Sequence, residues 1–169
     1  LSELPPKRRL VQEIDWDDEL YRQLMIPVIQ RARTLKEVDD ASRRAILEDQ
    51  ISQEERQATG IAKAPYVSAF VRTLLDGGES VLLFAHHHKV MDLYKKELKA
   101  YRPAFITGRE NEKQKDEALN RFMSGRTNLC VISLRSASGL NLQRASCVVF
   151  GELDWSPAVH SQAEDRAHR

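Results

Sequence analysis

Gln162, Arg166 and Arg169 stand four and then three residues apart in the closing stretch "HSQAEDRAHR". On a helix these spacings set all three side chains on one face, an amide and two guanidinium groups pointing the same way. One reading of this face is half of a site whose other half this sequence does not contain. The other reading is a solvated helix end, where the dipole favours basic residues anyway.

Other stretches carry possible chemistry. "HHHKV" (His86 to His88) follows an apolar run. Histidine is a common zinc ligand, but three consecutive side chains at a strand end diverge, and no Cys, Asp or Glu joins them at ligand spacing. The alternatives are a cap for the next helix or polar groups lining a binding surface. In "ITGREN", Gly108 follows a short apolar run, with Glu110 or Asn111 opening a helix. Glycine there permits a simple turn or a close backbone approach to a ligand. "SLRSASGLNL" places Ser136 and Gly139 among small residues whose backbone N–H groups suit phosphate binding. No GxxxxGK[ST] motif occurs, so the chain has no phosphate loop of that type. In "GELDWSP", Trp155 sits between polar residues, either wedged on the core or meeting a groove.

These residues need elements to position them. From residue 61 onward short apolar runs alternate with helical stretches. "SVLLFA" (80–85), "AFIT" (104–107), "NLCVIS" (128–133) and "SCVVFG" (146–151) read as strands; helices are expected near 88–100, 110–123 and after Pro157. Continuous apolar strands separated by helices predict an α/β fold, a doubly wound parallel sheet with both faces covered. Ligands of such sheets bind beyond the carboxyl ends of the strands, where the unusual residues stand. Residues 17–58 read instead as two amphipathic helices, with Gly60 as the C-cap. This divides the chain into a helical appendage (1–60) and an α/β lobe (61–169).

The 169 residues carry a net charge of +1, split as −3 over residues 1–60 and +4 over the remainder. The basic excess permits a nucleic-acid partner without demanding one. No apolar run reaches the length of a membrane span and no signal peptide opens the chain. Cys130 and Cys147 lie in apolar runs and read as buried hydrophobes of a reducing compartment. The chain opens on Leu1 and stops at Arg169, which suggests a segment of a longer protein.

"VLLFAHHHKVMDLY", "ITGRENEKQKDEALNRF", "SLRSASGLNLQRASCVVFGELDWSP" and "SQAEDRAHR" occur in one order. That order resembles the C-terminal, RecA-like motor lobe of superfamily-two helicases, in the SWI/SNF-type version. The wording is most similar to the branch containing the annealing helicases. "SELPPKRR" and "TGIAKAPYVSAFV" extend the likeness over nearly the whole chain. One departure is Ser138, which stands where the family commonly has glycine.

The resemblance implies an ATP-driven motor in which ATP, with Mg2+, binds mainly to a first lobe, and DNA runs across both. It implies that Arg166 and Arg169 act as arginine fingers and that Gln162 and Gly139 stand at the nucleotide. His86, Gly108, Ser136 and Trp155 then fall on the DNA side. The expected partners are DNA, double-stranded and without sequence specificity, and the first RecA-like lobe of the same chain. Alone, this lobe is expected to hydrolyse no ATP. The alternatives are a catalytically silent nucleic-acid-binding or docking module of helicase-like fold, and an unrelated doubly wound domain that binds a small phosphorylated ligand. The lobe is expected inside the cell, in the nucleus or nucleoid.

Overall fold

The computed structural model describes residues 8, 10–153, 164, 165 and 167. Asp17 starts the first helix, α1 (Asp18–Thr34), by accepting the Leu20 N–H at 3.0 Å. Acids then fill the first turn, and Arg31 and Arg33 the last, as the helix dipole favours. After a short 3-10 turn, Asp40 caps α2 (Ala41–Asp76) through the Arg43 N–H at 2.9 Å. The Asp17 N–H donates to the Ala62 carbonyl at 2.9 Å, and Arg31 pairs with Glu54, so α1 lies against α2.

Two helices were expected in this region, and two are found, but the expected C-cap at Gly60 is wrong. Helix α2 runs through Gly60 and Pro65 and ends at Gly77, followed by Gly78 at φ +86°. The expected boundary between appendage and lobe thus falls inside one helix. Its earlier part carries α1, and its later part, Ala64 to Leu75, packs on the sheet.

Gly60 has a packing role instead. A Cβ at this position would stand 2.7 Å from Glu152 Oε1 and 2.8 Å from Val90 Cγ2. Replacing a mid-helix glycine by alanine usually gains about 0.5–1 kcal/mol. Here the sign reverses, because both contacts are far too short and overpacking a filled site costs roughly 1–3 kcal/mol. Gly60→Ala is expected to lower the urea midpoint of unfolding; an unchanged or raised midpoint would show that α2 can shift away.

Among the described residues four strands are found, and they match the expected ones to within a residue or two: β1 (Val81–Ala85), β2 (Ala104–Ile106), β3 (Leu129–Ser133) and β4 (Cys147–Phe150). All are parallel, in the order β2-β3-β1-β4. Between them lie α3 (His88–Glu97) and α4 (Glu112–Met123), the latter opened by an Asn111/Gln114 capping box. Past β4, Glu164, Asp165 and Ala167 are helical.

Side chains of β1 alternate between two apolar layers. Val81, Leu83 and Ala85 join α2 and α3; Leu82 and Phe84 join α4 and the loop after β3. Both faces are covered, and this is why the strands read as unbroken apolar runs rather than as alternating ones. Neither cysteine is paired: Cys130 is buried, with its thiol pushed up to about 12 by desolvation, and Cys147 is half-buried with its thiol raised for the same reason first. No helix among the described residues is long and apolar enough to cross a membrane.

Candidate functional site

Because the strands are parallel, residues 86–87, 107–110, 133–142 and 151–152 all lie beyond one edge of the sheet, the carboxyl edge. Pairing of Ala85 with Ser133 sets His86 next to the start of the loop after β3. That loop is held by its own serines. The Ser133 hydroxyl donates to Ser136 Oγ at 2.6 Å, while the Ser136 N–H returns to Ser133 Oγ at 3.0 Å. Leu134, Ala137 and Leu142 sink into the core, leaving Arg135, Ser138, Gly139 and Asn141 exposed. Gly139 has φ +79° and nothing within 4 Å of a Cβ built on it, so its backbone faces open space.

Gly108 also requires a left-handed conformation, φ +91°, which costs other residues strain. A Cβ there would meet Ser136 Oγ at 3.6 Å. The turn after β2 and the loop after β3 are therefore neighbours. His86, Gly108 and Ser136 share one edge, and Gly139 extends the same loop. Trp155, Gln162, Arg166 and Arg169, also expected at the site, lie outside the described residues. Ala167, from the same segment, packs against the layer that contains Leu134, Ala137 and Leu142.

Two carboxylates shape this edge, and the sequence reading assigned neither of them that part. The sequence offers Glu110 or Asn111 as the helix opener, and the cap is Asn111. Glu110 instead accepts the Thr107 N–H at 2.7 Å, the Gly108 N–H at 3.1 Å and the Thr107 hydroxyl at 2.9 Å. Desolvation pushes this carboxyl up, but hydrogen bonds from the Thr107 amide, its own amide, the Thr107 hydroxyl and the Gly108 amide outweigh that and hold it below its ordinary value. A carboxylate lowered in the folded state adds stability above its unfolded pKa, about 4.3, and that stability is lost as the pH falls below it. Glu110→Gln is expected to cost about 1 kcal/mol at pH 7, with the difference from wild type shrinking at pH 3. Urea unfolding at the two pH values would show it; an equal difference at both would contradict the role of the charge.

The second carboxylate, Glu152, is 8% exposed. It takes the His86 N–H at 2.7 Å and the His87 N–H at 2.9 Å on Oε2, and His87 Nδ1 at 2.6 Å on Oε1. His87 occupies the N-cap position of α3 without a side-chain capping bond, because its ring is turned to Glu152. Among the described residues no group of three His, Cys, Asp or Glu side chains is arranged to hold a metal ion. Signals for Glu152 were absent from its neighbourhood in sequence, since its partners lie 65 and 66 residues away.

Residues 65–169 match the family model described as helicase conserved C-terminal domain. The SWI/SNF-related matrix-associated actin-dependent regulator of chromatin subfamily A-like protein 1 of Bos taurus is 36% identical over 137 residues, 75% of this chain and 15% of that protein. The DNA annealing helicase and endonuclease ZRANB3 of Mus musculus is 29% identical over 174 residues, 100% of this chain and 16% of that protein. The chain thus spans about 15% of the length of these curated relatives. Its structure is similar to the C-terminal part of the Fun30 ATPase domain, with a TM-score of 0.73, 16% identity, and coverage of 99% of this chain and 82% of that one. It is also similar to a Sulfolobus solfataricus SWI2/SNF2 ATPase core solved in complex with dsDNA, at a TM-score of 0.69, 18% identity, and coverage of 92% and 36%. These structural likenesses show the fold, a RecA-like lobe.

Proposed function

Since the chain belongs to the helicase conserved C-terminal domain family, as the C-terminal lobe of SWI/SNF-type ATPases, we propose that it is the second motor lobe of an ATP-dependent, DNA-stimulated translocase. In this reading ATP and Mg2+ are held mainly by a first RecA-like lobe; no GxxxxGK[ST] motif occurs in this chain. The lobe by itself hydrolyses no ATP. It acts inside the cell, where DNA is.

Arg166 and Arg169 reach the γ-phosphate as it leaves. Charge spreads over the equatorial phosphate oxygens in that transition state, and a fixed guanidinium stabilises it without reorganising. Gln162 and Gly139 stand at the nucleotide. Gly108, Ser136 and His86 meet the DNA backbone, and Trp155 meets the groove. The observation that carries this reading is the shared packing of Ala167 and the 134–142 loop on one apolar layer. A segment and a loop that share a core can move together, and this loop carries both Ser136, on the DNA side, and Gly139, at the nucleotide. Ser136 fits a phosphate contact: its oxygen receives the Ser133 proton, so that bond does not use its own O–H, which can donate to a phosphate.

Backbone contacts position a protein without reading sequence. The lobe is expected to bind double-stranded DNA of any sequence, with log K falling by about 0.9 per phosphate contact for each tenfold rise in salt. Fluorescence anisotropy across a salt series tests this. Affinity indifferent to salt, or strong preference for one sequence, would argue against the assignment of this edge to DNA.

A further inference from the structure

We propose that Glu152 is a positioning residue: its carboxylate ties the segment leaving β4 to the turn leaving β1, and so couples the nucleotide side of the lobe to its DNA side. The proposal rests on the motor reading above, and concerns how the two sides communicate.

The geometry is that of a latch. Three hydrogen bonds at 2.6–2.9 Å converge on one carboxylate whose side chain is 6% exposed. They join Glu152 to His86 and His87, across two strands that are neighbours in the sheet. A backbone bond from the Gly151 N–H to the Phe84 carbonyl, 2.9 Å, closes the same junction one step earlier. The other ring nitrogen of His87, Nε2, is buried with no hydrogen-bond partner among the described residues. Among the described residues the ring's polar tie therefore runs to Glu152 alone. Gly60 of α2 leaves room for Glu152 Oε1 by having no side chain.

Stability alone does not account for a carboxylate here. Among the described residues no lysine or arginine pairs with it; its one ion-pair partner is His87. Removing a carboxylate from water costs several kcal/mol, which its hydrogen bonds only offset; an apolar side chain of similar volume would avoid that cost but leave the His86 and His87 amides without this acceptor. The latch provides directed geometry instead. On one side stands His86, assigned above to the DNA backbone. On the other the chain runs on to the segment carrying Gln162, Arg166 and Arg169. When the DNA shifts the β1 turn, the latch carries that shift to the segment bearing the arginines.

The test uses the full-length protein that contains this lobe, with Glu152→Ala and Glu152→Gln, and measures basal and DNA-stimulated ATP turnover beside thermal melting. Glutamine keeps the latch: its carbonyl can accept from both amides while its NH2 donates to His87 Nδ1. Alanine removes it. The expected result is that Glu152→Ala lowers the stimulated rate about tenfold, with the basal rate within about twofold, and that Glu152→Gln stays near wild type. Should the alanine variant fail to fold, His87→Leu keeps both amide bonds, removes the ring contact, and is expected to lower the stimulated-to-basal ratio about threefold. Parallel loss of basal and stimulated rates in step with melting temperature would reduce Glu152 to a structural residue and overturn the proposal. An unchanged stimulated rate in both disruptive variants would overturn it as well. A wild-type protein that DNA does not stimulate would sink the motor reading, and the latch with it; a stimulated wild type with indifferent variants sinks the latch alone.

Discussion

Replacing Arg169 by alanine in the full-length protein is expected to cut DNA-stimulated ATP turnover by roughly 10³-fold or more, while nucleotide affinity changes little. The size follows from where the charge is needed. On the motor reading the triphosphate is held mainly by the first lobe in the ground state, so a single guanidinium from this lobe adds little to binding. In the transition state negative charge gathers on the transferring group in a site cleared of water, where an oriented cation counts for far more. A 10³-fold effect corresponds to about 4 kcal/mol of transition-state stabilisation. Arg169→Lys is expected to recover only part of the rate, since a flexible point charge does not reproduce a planar fork. Measuring kcat beside the dissociation constant of an ATP analogue separates the outcomes. A turnover loss matched by an equal affinity loss would make Arg169 an ordinary binding residue.

Phe84→Ala is expected to be the most destabilising single change in the described core. Phe84 is fully buried in β1, the strand paired on both sides, and stacks on Phe150 with ring centroids 5.2 Å apart. Truncating a buried phenylalanine typically costs 3–5 kcal/mol, depending on how far the surroundings collapse. Here they have little freedom, because Leu82, Cys130 and Ile132 in the same layer are fixed by strand pairing. Losing the aromatic pair adds about 0.5–1.5 kcal/mol. Against a typical domain stability of about 5–15 kcal/mol, that is a large share. Urea unfolding should give a much lower midpoint with an unchanged m-value; a cost below about 1 kcal/mol would mean that the layer repacks around the gap.

What was legible in the sequence follows from which interactions are local. The strands could be read because a parallel sheet covered on both faces demands unbroken apolar runs, and "VLLFA" and "LCVIS" are such runs. Asp17 and Asn111 could be read as helix starts because a cap acts within three residues. Gly60 was misread for the converse reason. Its local signal is a helix end, but the structure uses its missing side chain against Val90 and Glu152, which are distant in the chain. Glu152 gives no local signal because its partners come from the turn after another strand, and Glu110 none because its bonds run backward to Thr107 and Gly108 rather than forward into the helix. At the site, the left-handed backbone of Gly108 and Gly139 is anticipated by their glycine identity, and the contact between Gly108 and Ser136 follows from parallel order once the strands are known. Order of motifs, rather than any single one, carried the family.

The most direct measurement is the rate of ATP hydrolysis, with and without double-stranded DNA, by the full-length protein and by residues 1–169 alone. If this chain is the second half of a two-lobe motor, the full-length protein hydrolyses ATP faster when DNA is added, and residues 1–169 hydrolyse none under either condition. Hydrolysis by residues 1–169 alone, or a full-length rate that DNA leaves unchanged, would contradict that account.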